Sequence, residues 1–185
     1  DVHRSKDGHP VIVHDFTVDA TSNGSGTVTE MTLAELKALD AGSWFDEKFA
    51  GTQIATLDEV FEAVGQALFI NVEIKSVGPQ TDGVEHCVAE CITHHDMADR
   101  VIVSCFNPLA LKRFRAIMPN VPLGFLYQTQ FLEQVQPLTQ GMSYEAEHPY
   151  FEMVDAALID AAEGRYINVW TVNDGSGALN IDDIL

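Results

Sequence analysis

Asp1, His14, Asp15 and Glu73 are the side chains whose types suit chemistry at a single place. His14-Asp15 closes the run VIVHD, and Glu73 stands in the polar end of NVEIK. Carboxylates gathered at one point make a hard oxygen site for Mg²⁺ or Ca²⁺. An imidazole beside them supplies a proton-transfer group that titrates near neutrality. Lys75, two residues beyond Glu73, shares its strand face and could meet an anionic oxygen. A plainer reading makes Glu73 and Lys75 a charge pair at a strand end. The chemical reading requires that distant segments converge.

The elements that would position these residues alternate along the chain. Candidate strands are 10–14 (PVIVH), 67–75 (ALFINVEIK), 100–106 (RVIVSCF), 121–126 (VPLGFL) and 166–172 (YINVWTV). They are short and rich in Val and Ile, and some are apolar on both faces, as in strands covered by helices. Between them lie helix-start signals. Thr32 with Glu35, and Thr56 with Glu59, form capping boxes, and Asn107-Pro108 reads as an N-cap followed by proline at the first helical position. Val84, Cys87, Val88, Cys91 and Ile92 make an amphipathic stripe. The pattern predicts an α/β fold with a parallel sheet, a (β/α) barrel, in which side chains at the carboxyl ends of the strands meet at one mouth. A doubly wound sheet is the alternative, but no GxGxxG follows any strand. Segment 1–10 has no room for a helix and must turn at Asp7-Gly8. If it runs down and PVIVH runs back up, Asp1 and His14 finish at the same end. A single domain over residues 1–185 is expected at this length, although a complete eightfold barrel usually needs roughly 250 residues.

Composition narrows the partners. Twenty-eight Asp and Glu against ten Lys and Arg leave a formal charge of −18. That argues against a sequence-independent grip on nucleic acid or an anionic membrane face and suits the collection of divalent cations. No run approaches the length of a membrane span, so no stable membrane insertion is expected. Three cysteines cannot all pair, and DVHRSKDGHP has no leader-like apolar run, so a reducing, cytoplasmic location is expected. A signal peptide preceding Asp1 stays open, because the chain starts without Met.

The runs DVHRSKDGHPVIVHD, GSGTVTEMTLAEL, LDAGSWF, TLDEVF, NVEIK, VIVSCF and NVWTVND occur in one order. Together they resemble the glycerophosphodiester phosphodiesterase family across nearly the whole chain. The resemblance implies a distorted TIM (β/α)8 barrel and a divalent metal, Mg²⁺ or Ca²⁺. The implied reaction is hydrolysis of a small-molecule glycerophosphodiester to glycerol 3-phosphate and an alcohol. It implies Asp1 and Glu73 as metal ligands, His14 as one of two catalytic histidines, Lys75 beside the phosphate, and Trp170 in a segment lining the mouth. The family's opening strand ending in His-Arg-Gly is absent, as is a glutamate two positions before Asp1. His3-Arg4 is not that motif. Ile181-Asp182-Asp183-Ile184-Leu185 looks like the start of the family's closing segment, with only seven residues between it and Asn173. A barrel incomplete at the amino end and shortened at the carboxyl end is the expectation.

Other residues have competing readings. Cys87-x3-Cys91 with His94 and His95 suggests zinc, but both cysteines fall on the apolar stripe, where a free thiol packs as a small hydrophobe. Cys105 reads as packed and His9 as solvated; His148-Pro149 matches a short segment of the family near the mouth, and on its own reads as a loop histidine. Trp44 and Phe45 read either as a substrate cover or as a plug over the core. Ser104 and Phe106 end a strand and so stand near the mouth. Two further functions compete with the phosphodiesterase: a catalytically silent barrel that holds a cation or phosphate, and a related phosphodiesterase acting on lysophospholipids. An exposed apolar rim at the mouth would favour the last.

Overall fold

In the structure, a computed structural model, residues 1–171 are described. The chain opens with an antiparallel hairpin, β1 (Val2–Arg4) and β2 (Pro10–Ile12), in the register Val2↔Ile12 and Arg4↔Pro10. Its turn closes through Ser5, whose Oγ donates to Asp7 Oδ1 at 2.7 Å and accepts from the His9 amide at 2.9 Å. Short helix α1 (Leu33–Lys37) and helix α2 (Leu57–Val64) follow, each opened by the expected capping box. Thr56 Oγ1 accepts the Glu59 amide at 3.1 Å, while Glu59 Oε2 accepts the Thr56 amide at 2.9 Å. Two of the four amide donors orphaned at a helix start are thereby satisfied.

From there the strands are parallel: β3 (Ile70–Glu73), β4 (Val101–Cys105), β5 (Leu123–Tyr127), β6 (Ala146–Pro149) and β7 (Tyr166–Ile167), side by side in sequence order. Helices α3 (Val84–His94), α4 (Pro108–Ile117), α5 (Thr129–Val135) and α6 (Ala156–Ala161) make the crossings. All five residues of β5 are buried, which explains why LGFLY lacks alternation. The main core joins the sheet to α2, α3 and α4 through Val72, Val103, Leu123, Phe61, Ile92 and Phe114. A second cluster, including Val11, Val13, Leu36 and Ile54, supports the loops behind β2.

Three sequence expectations change here. PVIVH pairs in the hairpin and not in the parallel sheet. The hairpin also runs opposite to the expected sense. Val2 bridges Ile74 in parallel, one residue past Glu73, so β1 starts at the mouth and leads away, and β2 returns to it. Asp1 and His14 still share an end, since the Val13 amide donates to the Asp1 carbonyl at 3.2 Å. Finally, His148 lies inside β6 and is buried. The segment Ala146-Glu147-His148-Pro149 carries two ionisable residues and a proline, none of them typical of strands. Its buried polar atoms are satisfied locally: Glu147 accepts from Tyr144 Oη and Arg165 Nε, and His148 Nε2 lies 2.9 Å from Asn168 Nδ2. Val172, Asn173 and the run from Ile181 to Leu185 lie outside the described residues.

Candidate active site

The carboxyl ends of the parallel strands open on a cavity of about 1540 Å³. Asp1, His14, Glu73, Lys75, His148 and Trp170 line its mouth, and the space continues down to Phe69 and Pro122 at the opposite strand ends. The five residues to which the family resemblance gives roles, Asp1, His14, Glu73, Lys75 and Trp170, therefore face one space, and Asp15 stands behind His14 off its lining. Among them Lys75 is the hub. Its Nζ lies 2.9 Å from Asp1 Oδ1 and 2.8 Å from Glu73 Oε1. It is held there because Lys75 donates its amide to the Val2 carbonyl at 3.0 Å, binding the start of β1 to the end of β3.

Both acidic oxygens are buried, and neither receives a donor at hydrogen-bond angles; the ammonium reaches them by charge and distance only. Buried carboxylate oxygens without a directed donor are costly unless a cation satisfies them. The two-carboxylate pair is hard in character and thus suits Mg²⁺ or Ca²⁺ over softer ions.

His14 is more open than the acids, with 74% of its side chain exposed. Its Nδ1 stands 2.7 Å from Asp15 Oδ1. An ionised carboxylate only accepts, so this contact selects the tautomer with its proton on Nδ1, which leaves Nε2 to face a reacting group. Trp170 is half-buried. Its indole N–H donates to the His148 carbonyl at 2.8 Å, and the ring meets Phe106 edge-on at 5.3 Å and leans on Tyr150 at 5.1 Å. With its donor committed, what Trp170 offers the cavity is an apolar face.

The loop after Lys75 is tied down from the α4 side. Asn107 caps α4 by accepting the Leu109 amide, and its Nδ2 donates to the Gly78 carbonyl at 2.7 Å. Arg113 Nε donates to the fully buried Glu85 at 2.8 Å, and Arg113 Nη1 reaches the Pro79 carbonyl at 3.1 Å. Thr81 Oγ1 also donates to Glu85.

Sequence reasoning missed Asn168 as a lining residue, placed His148 near the mouth only through the family resemblance, and saw Asn107 only as a cap. Burial holds the His148 pKa down at about 4, so its ring is neutral at pH 7. Its position also explains Gly124, where an added Cβ would fall 2.3 Å from His148 Nε2. Phe106 lines the cavity as expected, whereas Ser104 is fully buried beneath it. Trp44 and Phe45 are neither cover nor plug: both are exposed, pack edge-on against each other at 5.8 Å, and lie off the cavity lining. Cys105 is packed, its thiol donating to the Ile74 carbonyl at 3.0 Å, and His9 is exposed.

Residues 1–184 match the model of the glycerophosphoryl diester phosphodiesterase family. The chain belongs to that family. Within it, the chain is 39% identical over 176 residues to a glycerophosphodiester phosphodiesterase of Caldanaerobacter subterraneus subsp. tengcongensis, covering 94% of this chain and 72% of the relative. Among solved structures, an Oleispira antarctica phosphodiesterase in complex with the product sn-glycerol-3-phosphate superposes with a TM-score of 0.82 at 29% identity. That match spans 94% of this chain and 72% of the other. A glycerophosphodiester phosphodiesterase from Agrobacterium tumefaciens gives a TM-score of 0.74 at 26% identity, over 94% and 73% of the two chains. These phosphodiesterases share the TIM-barrel fold, and the α/β architecture with its five parallel strands is this family's barrel seen through the described residues. Among those residues, no helix is long and apolar enough to cross a membrane.

Proposed function

We propose that this chain, as one barrel domain, hydrolyses glycerophosphodiesters to glycerol 3-phosphate and an alcohol at the mouth described above. The observation that carries the reading is the meeting of Asp1 and Glu73 on the Lys75 ammonium, at 2.9 and 2.8 Å, in a cavity that His14 and Trp170 also line. A phosphodiester is an anion with two bridging oxygens, and these groups match its needs. Asp1 and Glu73 would hold Mg²⁺ or Ca²⁺, which would supply positive charge to a non-bridging oxygen and acidify an attacking hydroxyl.

The chain's own residues do the rest. Lys75 turns its ammonium from the carboxylates toward a phosphate oxygen and fixes the anion against β3. His14, held by Asp15, takes a proton on Nε2 from the nucleophile, either water or the glycerol hydroxyl. The P–O bond to the alcohol breaks as the new P–O bond forms, and the departing alkoxide takes a proton from solvent; where the glycerol hydroxyl attacks, water opens the resulting cyclic phosphodiester in a second step to give glycerol 3-phosphate. Trp170 gives the organic part a flat apolar wall. In the protein as encoded, glycerol 3-phosphate release should vanish with chelator and with Glu73→Gln. Full activity of Glu73→Gln would overturn the assignment.

One observation favours a second reading, a lysophospholipid substrate. Phe16 and Val77 line the same mouth and are 44% and 70% exposed, a rim that could receive an acyl chain. Comparing a lysophospholipid with the acyl-free diester of the same alcohol separates the two. A higher kcat/KM for the acylated substrate that Val77→Asp reverses supports the second reading, and a preference for the acyl-free diester rejects it.

A further inference from the structure

Away from the mouth, the contact between α2 and α3 brings together three side chains of different chemistry. Asp58 projects from the first turn of α2. Cys91 and His95 stand four residues apart at the end of α3, on one face of the helix. One carboxylate oxygen, the thiol sulfur and a ring nitrogen all lie within 4.8 Å of one another. Asp58 Oδ1 and His95 Nε2 are 3.0 Å apart. None of the three lines the mouth cavity.

We propose that Asp58, Cys91 and His95 form a binding site for a borderline transition-metal ion, with Zn²⁺ as the natural occupant, stapling α2 to α3. The sequence hinted at zinc through Cys87, Cys91, His94 and His95, and the fold selects differently. Cys87 turns its thiol to the Val84 carbonyl, and His94 faces the groove between α3 and α4, where it lies beside Ile117. Asp58, from another element, takes their place.

The donor set decides the class of ion. Thiolate and imidazole favour Zn²⁺ over Mg²⁺ or Ca²⁺, which take oxygen ligands. Tetrahedral zinc, with Zn–S of about 2.3 Å and Zn–N of about 2.0 Å, sets neighbouring donors roughly 3.3–3.6 Å apart. The cluster reaches that by shifts of about 1 Å, within side-chain rotation. Orientation is already partly set: the His95 ring meets His94 edge-on at 4.8 Å and Phe61 at 5.7 Å. Such packing restricts an imidazole ligand as outer-shell contacts do. Asp58 is the open side, with 41% of its side chain exposed, so water can take the fourth position. Burial, and then the adjacent Asp58 carboxylate, push the Cys91 thiol up. Coordination therefore releases the Cys91 proton to solvent as the thiolate–metal bond forms.

Co²⁺ is the probe, because a cobalt–thiolate bond absorbs in the near ultraviolet and carboxylate ligation does not. With excess Mg²⁺ present to occupy the mouth, one equivalent of Co²⁺ should produce the thiolate band, and Zn²⁺ should bleach it and raise the Tm. The band should disappear in Cys91→Ala and persist in Cys87→Ala, Cys105→Ala and Glu73→Gln. Asp58→Asn and His95→Gln should weaken Co²⁺ binding roughly 100-fold. If Cys91→Ala does not fold, those last two variants decide, for each keeps a polar side chain of similar size at a partly exposed position. No thiolate band in the unaltered chain, a band that survives in folded Cys91→Ala, or unchanged affinity in Asp58→Asn and His95→Gln would overturn the site.

Discussion

The barrel mouth and the α2–α3 contact each gather ligand-type side chains, and they do so by opposite routes. At the mouth the donors are carboxylate oxygens from two strands far apart in sequence, joined only because Val2 bridges Ile74. They open on a large cavity, with an ammonium already between them. Between α2 and α3, two of three donors come from one helix face, the set mixes oxygen, sulfur and nitrogen, and none of the three lines the mouth cavity. Hard donors beside a cavity suit an ion that meets substrate. Mixed donors wedged between helices suit an ion that holds structure.

The largest expected effect separates the two places by chemistry. Glu73→Gln should lower kcat/KM by about 10²–10⁴-fold or more, since it removes a ligand from the reacting centre. The same variant should leave cobalt–thiolate absorption intact, while Cys91→Ala should do the converse. Measuring both readouts on both variants breaks the comparison if either change moves both signals.

Next in size is the support beneath the mouth. Arg113→Ala leaves Glu85 buried and without its cation, which costs about 3–5 kcal/mol, and it frees the Pro79 carbonyl in the loop after Lys75. Urea midpoints should fall accordingly. Substrate affinity should suffer in the protein that remains folded, because the loop carrying Val77 and Gly78 loses its anchor. A loss below 1 kcal/mol would mean that Glu85 finds another partner.

The mouth also carries an acid sensitivity. His148 has a folded pKa of about 4 because of burial, against an ordinary value of 6.5. Between those values the unfolded chain binds a proton that the folded one refuses. Stability is therefore fully present above about pH 6.5 and falls as pH drops toward 4, by about 3 kcal/mol in all. His148→Gln should be less sensitive to acid by about 2 kcal/mol of that, read as the difference in urea stability between pH 7 and pH 4.5. An unchanged difference would mean that His148 is solvated and cationic in the fold.

How much of this was legible in the sequence follows from where each signal resides. The caps at Thr32, Thr56 and Asn107 are local, and all three are as expected. The apolar runs that became β4 and β5 are local too. PVIVH has the same local look, yet it pairs in a hairpin, since alternation specifies a strand and not its partner. The strand around His148 was hidden because the polar groups of AEHP are satisfied by Arg165 and Asn168, which are distant in sequence, as well as by nearby Tyr144. Glu73 and Lys75 were readable from NVEIK because a parallel barrel sends carboxyl strand ends to one place, whereas Asp1 and His14 reach that place through the two ends of the hairpin. The α2–α3 cluster was half readable: the Cys91–His95 spacing is visible in the chain, but no spacing rule brings Asp58 to it.

The smallest effect tests whether the two places are mechanically separate. Thr56→Ala removes the side-chain half of the α2 capping box, a loss of about 1 kcal/mol. It leaves intact the backbone bond from the Ile12 amide to the Ala55 carbonyl, 2.8 Å, that ties this segment to β2 and so to His14. The helix start that carries Asp58 loosens, while the mouth keeps its framework. The Tm should fall by a few degrees and Co²⁺ affinity by less than about tenfold, with turnover at saturating Mg²⁺ unchanged. If turnover falls in step with Co²⁺ affinity, the strain passes along Ala55 and β2 to His14, and the mouth and the helix contact are one coupled unit.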